Sequence, residues 1–298
     1  MKTKFSLYLA LCLIGLPTIY IQAQKHSSSI LPDTVNYTAM DQIVDPNPPQ
    51  PSLSLRLGPG FYARQDQIFS PFVHKDWSLL NVGVQYDWGK KNPQFVAFEF
   101  GSYNPILVPE YTYGENNDDQ TYPHSFTLVN LTYGLGKKVV LKNEKNSMVL
   151  GGFFEADVEA SNYQFAWVGH FGYMAPFSLG IWSEFQHQFS EKNKLTGKVL
   201  LPLASWVARS PYLINDDEFI ENTYSHNGFT TFFEYVGDGD FKTLNKIQQI
   251  EFQLGYQHQL SEKWSIGGLY SFRFMHASEP LNFLSYRHTF YINLSHPF

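Results

Sequence analysis

The sequence predicts an all-β protein: a transmembrane antiparallel up-and-down β-barrel of about ten strands, twelve being the alternative, with long loops on one side. Three observations predict it. From Ser52 to Phe298 the chain repeats segments in which apolar and polar residues alternate with a period of two. The connections between these segments alternate in length, as they do when short turns lie on one side of a membrane and long loops on the other. Beyond the N-terminus there is no apolar run long enough for a membrane-spanning helix, which excludes a helical multi-spanning protein.

The segments follow in order. Residues 52–63 set Leu53, Leu55 and Leu57 against Ser54, Arg56 and Gly58. Residues 78–88 set Leu80, Val82, Val84, Tyr86 and Trp88 against Asn81, Gly83, Gln85 and Asp87. Residues 95–104 place Val96, Phe98 and Phe100 opposite Ala97, Glu99 and Gly101. The fourth segment, 125–141, carries Val129, Leu131, Tyr133 and Leu135 on its apolar face, and the fifth, 147–160, opposes Leu150, Phe154, Ala156 and Val158 to Glu155, Asp157 and Glu159. Residues 173–189 set Phe177, Leu179, Ile181 and Phe185 against Ser178, Trp182, Glu184 and Gln186. Residues 194–208 set Leu195, Val199 and Leu201 against Thr196 and Lys198, and 247–260 set Ile250, Phe252, Leu254 and Tyr256 against Gln249, Glu251 and Gln253. The last two, 264–276 and 285–298, pair Ile266, Tyr270, Phe272, Phe290, Ile292 and Phe298 against Ser265, Ser271, Arg273, Arg287 and Thr289.

Short turns are expected at 89–94, 143–146, 190–193 and 261–263, and longer connections at 64–77, 105–124, 161–172, 209–246 and 277–284. In the fourth of these long loops, residues 229–235 are expected to form a hairpin with 242–247. The motif Phe185-Gln186-His187-Gln188-Phe189-Ser190-Glu191-Lys192 recurs as Tyr256-Gln257-His258-Gln259-Leu260-Ser261-Glu262-Lys263. One hairpin solution used twice explains this better than a metal site built from His187 and His258, and no metal or cofactor is expected.

The N-terminus supplies the export route. Lys2 and Lys4 precede an apolar stretch from Phe5 to Leu16, and Ala23 is the small residue expected before cleavage, so residues 1–23 read as a signal peptide. Cys12 lies within that apolar stretch after Leu11, without the small residue that a lipoprotein site needs before its Cys. Residues 24–51 hold a Ser run and the stretch Asp45-Pro46-Asn47-Pro48-Pro49-Gln50-Pro51. They read as an extended, Pro-rich periplasmic leader, with a tether for a periplasmic partner as the sharper alternative. The barrel then occupies 52–298.

Composition narrows the function. Tyr 19, Phe 26 and Trp 6 make up 17% of the chain, too many aromatics for a disordered protein. Lys+Arg 21 against Asp+Glu 27 gives a net charge of -6, which argues against a nucleic-acid partner. One Cys excludes a disulfide framework and a Cys-based zinc site.

The chain ends Tyr291-Ile292-Asn293-Leu294-Ser295-His296-Pro297-Phe298, with the terminal aromatic on the outward face. This resembles the C-terminal aromatic signal of bacterial outer-membrane barrels. With the signal peptide and the aromatic strands, the chain resembles a Bacteroidota-type outer-membrane protein. The resemblance implies a location in the bacterial outer membrane and contact with its lipid. It also implies recognition of the last strand, through Phe298, by the barrel-assembly machinery. A soluble β-sandwich competes, but it explains neither the terminal Phe nor the loop alternation.

Ten strands make a narrow barrel, since eight are just filled by side chains and open channels need about 16–18. The inward face carries an acidic set, Glu155, Asp157, Glu159, Glu184 and Glu251, joined by Asp87 and Glu99, and a basic set, Arg56, Lys198, Arg273 and Arg287. These charges either pair into a plug or leave an acidic stripe along a cation-preferring path. The long loops are acidic and aromatic: Tyr111, Tyr113, Asp118 and Asp119 in one, and Asp216, Asp217 and Glu218 in another. Such loops suit a solvated cap or a binding surface, for which sugar stacking, a protein partner in the outer membrane or weak cation binding by the acids would all fit.

Catalytic sets are weak. Tyr224-Ser225-His226-Asn227-Gly228 loosely resembles the His/Ser/Asn-Gly cluster of outer-membrane phospholipases, with His226 as the base. The order departs from theirs, and neighbours on a strand face opposite ways. An omptin-like protease needs acidic pairs and an Asp-His pair at the rim; no Asp-x-His spacing occurs. The expectation is a non-enzymatic surface or accessory protein. A narrow cation-preferring channel is the alternative, and a lipid hydrolase the second alternative.

Overall fold

The computed structural model describes residues 50–107, 109–113, 119–139, 141–165, 168–210, 233–234 and 236–298. The signal peptide, nearly all of the Pro-rich leader, Asp118, Asp216, Asp217, Glu218 and His226 lie outside the described residues.

Ten long strands carry the fold: β1 (Ser52–Asp66), β2 (His74–Trp88), β3 (Gln94–Tyr103), β6 (Ser125–Val139), β7 (Asn146–Phe165), β8 (Val168–Ser190), β9 (Asn193–Arg209), β11 (Ile247–Gln259), β12 (Ser265–Ala277) and β13 (Phe283–Pro297). Three short ones decorate the loops: β4 (Thr112–Tyr113), β5 (Asp119–Gln120) and β10 (Asp240–Thr243). Each long strand pairs antiparallel with its neighbour along the chain, and β13 pairs with β1 from Ser52↔Pro297 to Asp66↔Phe283, closing the cylinder. The backbone N–H of Phe298 adds one more rung by donating to the Pro51 carbonyl at 2.8 Å. Closure leaves no long open edge.

The period-two pattern becomes two faces. In β1, Ser54, Arg56, Tyr62 and Arg64 are buried inside, and Leu53, Leu55 and Leu57 are exposed outside. The outward set continues round the wall through Val84, Phe98, Leu131, Leu179, Ile250, Leu254 and Ile292, forming an apolar band. A protein that exposes so continuous an apolar surface must have it covered, and lipid is the cover that a closed barrel admits.

The four connections at the end where β1 begins and β13 stops are tight. The first turns at Gly89, whose φ of 92° favours glycine and where a Cβ would lie 2.1 Å from the Asn92 carbonyl oxygen. The repeated motif adopts one arrangement twice. His187 stands opposite Asn146 and bonds its side chain at 2.6 Å, and His258 stands opposite Asn193 and bonds it at 2.7 Å.

At the other end the structure corrects one expectation. Residues 161–172 do not form a long loop. β7 and β8 stay paired up to Phe165↔Val168, because the alternation continues through Ser161 and Tyr163 and no Pro breaks the ladder there. Most of 229–235, and with it the hairpin expected with 242–247, lies outside the described residues. β10 pairs with β9, Asp240↔Val207 to Thr243↔Ala204, where β11 no longer reaches β9. An unpaired stretch of β9 edge is thereby covered.

Candidate functional site

The chemistry-bearing side chains gather inside the barrel, because strand alternation aims every second residue at one axis. They form three levels.

Nearest the tight turns, Arg56 donates to Gln85 at 2.6 Å, and Gln85 in turn donates to Asp87 at 2.7 Å. Glu99 lies between two guanidiniums, 3.0 Å from Arg287 and 3.7 Å from Arg56. Lys198 stands opposite Glu184 across the β8–β9 pair, with its ammonium 3.1 Å from the centre of the Phe95 ring. Phe95, Phe153, Trp182, Val149 and Leu200 pack as an apolar layer here. The layer forms because Gly134 leaves room: a Cβ there would lie 2.1 Å from the Phe95 ring.

At mid-height Arg273 collects three acids. One guanidinium nitrogen donates to Glu155 at 2.5 Å and Asp157 at 3.1 Å, and the other donates to Glu251. Asn130 donates to Glu155 at 2.7 Å and Ser271 to Glu251 at 3.3 Å. The remaining lone pairs of two buried carboxylates are thus partly satisfied, which buried charge requires.

The third level sits at the long-loop end. Tyr62 and Ser285 donate to Glu159 at 2.5 and 2.9 Å, with Arg64 at 3.5 Å. Asp66 receives Arg64 at 3.0 Å and Arg209 at 2.6 Å. Arg209 also donates to the carbonyls of Glu279 and Leu281, at 3.0 and 2.5 Å, so one side chain ties β1, β9 and the β12–β13 turn. Above it Phe69 stacks on Tyr163 at 5.3 Å, and His74 meets His124 edge-on at 4.6 Å. Burial holds His124, in the loop before β6, below the ordinary histidine range.

The predicted inward charges are therefore all inside. The stripe Glu155, Asp157, Glu159 is divided between two basic centres. Four residues of the upper level, Tyr62, Arg64, Asp66 and Arg209, and the pair His74 and His124 were not read from the sequence. Tyr62 lies within the expected first segment, whereas Arg64 and Asp66 keep its inward parity past the expected end with the polar Gln65 between them, so the apolar–polar alternation does not mark them. Arg64 and Arg209 add two bases against the single acid Asp66, which narrows the acid excess of the lumen.

Catalytic geometry does not assemble among the described residues. Ser70 lies 2.9 Å from His74 Nε2, the spacing of a nucleophile and its base. Both are 1% exposed, and no acid bonds His74 Nδ1 to orient the ring, so a substrate has neither access nor an activated hydroxyl. No cluster of three or more metal-ligating side chains occurs among the described residues. Of the predicted loop surface, Tyr111 is exposed, and Tyr113 and Asp119 pair through their backbones in the β4–β5 hairpin. Phe298 points outward and is exposed, 5.0 Å from the His296 ring.

No family model matches the chain, and no curated protein matches it. Solved structures do. The outer membrane protease OmpT from Escherichia coli is similar over 85% of this chain and 98% of its own, with a TM-score of 0.52 at 7% identity. The translocator domain of the autotransporter NalP from Neisseria meningitidis matches 88% of this chain and 93% of its own, at a TM-score of 0.41 and 10% identity. A Pseudomonas aeruginosa FadL homologue matches 84% and 90%, at a TM-score of 0.33 and 9% identity. At such identities the likeness is one of fold. With its closed antiparallel wall, its outward apolar band and its ten strands, the chain has the fold of a bacterial outer-membrane β-barrel.

Proposed function

We propose that the chain is a closed, non-conducting barrel of the outer membrane that presents its long loops to a partner and carries out no catalysis. The observation that carries the first part is the pairing of the lumen. Arg273 with Glu155, Asp157 and Glu251, Arg287 and Arg56 with Glu99, and Arg64 and Arg209 with Asp66 span the interior in successive levels. A permeant ion would have to displace these partners, each held by charge-assisted bonds.

Recording in planar bilayers tests it. The expected trace shows no steps above leak, and cation-selective steps would overturn the closed reading in favour of a path along Glu155, Asp157 and Glu159.

The second part rests on exposed aromatics at the long-loop end, among them Tyr111, Tyr122 and Phe241. Aromatic side chains supply contact area and are enriched among the residues that carry binding energy at protein interfaces. Purification from the native membrane in mild detergent is expected to recover a second outer-membrane protein; the barrel alone would remove the accessory reading. The Bacteroidota-type assignment and the role of Phe298 in assembly belong to the same reading. They rest on the C-terminal strand, and Phe298→Ala is expected to lower the amount of assembled barrel.

A further inference from the structure

At the long-loop end the connection from β1 to β2 turns inward after Asp66. The amides of Phe69 and Ser70 donate to the Asp66 carbonyl at 2.9 and 2.8 Å, and that of Ile68 donates to the Asp66 carboxylate at 3.2 Å. Phe69 and Ser70 are buried by this turn, whereas Pro71, Phe72 and Val73 stay exposed. The Phe69 ring stacks on Tyr163 and joins an apolar cluster with Tyr62, Tyr103 and Phe126. Gly172 leaves room for it, since a Cβ there would lie 2.5 Å from the ring.

Two histidines hold this turn from inside. Ser70 Oγ lies 2.9 Å from His74 Nε2, His74 meets His124 edge-on, and both imidazoles pack on Phe126 and Tyr163. The arrangement suits neutral rings. His124 Nδ1 accepts a hydrogen bond from the Gln164 N–H at 2.8 Å, so a second proton on that ring displaces the bond. In an imidazolium both nitrogens donate, and the buried Nδ1 of His74 has no acceptor among the described residues. Arg64 stands directly opposite His74 in the β1–β2 ladder, a position where like charges destabilise.

The acids of this level are engaged by other partners. Asp66 is held by Arg64 and Arg209, Glu159 by Tyr62, Ser285 and Arg64, and Asp76 accepts from the Asn104 N–H. From β8, His170 stands opposite Tyr163 and adds a further imidazole. Charging His74 and His124 therefore sets two cations side by side, next to a third.

We propose that residues 67–73 form an acid-released plug: they stay in the barrel mouth while His74 and His124 are neutral, and protonation of the two rings expels them. The released state takes up protons at the ordinary histidine value of about 6.5 and the plugged state only below it. The plug is therefore fully held above that value and weakens as pH falls through it. The Arg273 node at mid-height contains neither histidine, so the lumen beneath stays paired when the plug leaves.

The test places a nitroxide on Phe72→Cys in the full chain carrying Cys12→Ser, folded into dioleoylphosphatidylcholine vesicles, and follows its mobility by electron paramagnetic resonance. From about pH 7.5 to about pH 4.5 the ratio of mobile to immobile label is expected to rise about tenfold, the effect of one histidine lowered by about one pH unit. The double variant His74→Gln with His124→Asn keeps an acceptor for Ser70 and for the Gln164 N–H but takes up no proton, and its label is expected to stay immobile throughout. A wild-type label that stays immobile at the lower pH would overturn the plug, and that measurement stands even if the variant fails to fold. Release of the double variant over the same pH range as wild type would also overturn it and assign the change to Asp66, Asp76 and Glu159.

Discussion

Arg273 on β12 and Glu155 on β7 meet across the barrel interior at 2.5 Å, although 118 residues separate them in the chain. Asp157 and Glu251 bond the same guanidinium, so a single base holds three acids from two other strands. Removing one member of such a group leaves uncompensated buried charge, which is far worse than never having had the group. Arg273→Leu is therefore expected to destabilise the barrel by about 3–5 kcal/mol in urea unfolding from lipid vesicles. Adding Glu155→Gln, Asp157→Asn and Glu251→Gln to that variant is expected to recover most of the loss. A single variant as stable as wild type would show that the node contributes nothing.

Arg209 makes a different kind of link. It joins Asp66 to the carbonyls of Glu279 and Leu281, so its loss unties the β12–β13 turn from β1. Arg209→Ala is expected to cost about 1.5–3 kcal/mol, the range of hydrogen bonds to charged groups, and to speed proteolysis between 278 and 282 in intact cells. Unchanged cleavage would mean that other contacts hold the turn.

Gly134 is the place where packing, not charge, is decisive. A Cβ there would lie 2.1 Å from the Phe95 ring, and that ring is fixed against Trp182 and under Lys198. Gly134→Ala is expected to cost about 1–3 kcal/mol through overpacking, and Phe95→Leu to relieve part of it. Thermal unfolding of the two variants and their combination measures the coupling.

Much of this was legible in the sequence, for one physical reason. Alternation sets both the strand and the face of every residue, so Leu53 and Arg56 announce outside and inside without further information. The alternation fails where strands leave the membrane. Above it no lipid selects outward apolar residues, so Arg64, Asp66 and His74 look like loop residues although they lie in strands. Nor can alternation show which base meets which acid. Glu159 and Glu155 are four residues apart on one face, yet one is bonded to Tyr62 and the other to Arg273. Pairing across a cylinder depends on its curvature, and a linear pattern does not contain that.

The turn at Glu279 provides a pH test outside the membrane. Lys246 donates a hydrogen bond to Glu279, and this bond holds the carboxyl below its ordinary value. A depressed folded value means that the bond contributes fully above the unfolded value and is lost as pH falls through the folded one. The Glu279 side chain is about half exposed, 46%, so salt weakens the effect. NMR titration is expected to show Glu279 deprotonating below the ordinary glutamate range and returning to it in Lys246→Met. Identical titrations in the two proteins would remove the contact.

The wall itself has a weak seam. β9 pairs with β11 only from Asn193 to Leu200, and its far end pairs with β10 from Ala204. Between them stands Pro202, which has no N–H to offer a ladder, and Gly180 on the other side marks a shift of register. Glu155, Asp157, Glu251 and Arg273 reach this gap from inside, around a cavity of about 10 Å³, near the least space that holds one water. The Nε of Arg273, which borders this space, has no hydrogen-bond partner among the described residues. Amides of Leu201 and Leu203, and those of Ile247 to Ile250 that face β9, are therefore expected to exchange with deuterium far faster than the amides from Asn193 to Leu200. Exchange as slow as in the paired stretch would mean that the seam is sealed and that the Arg273 node is dry.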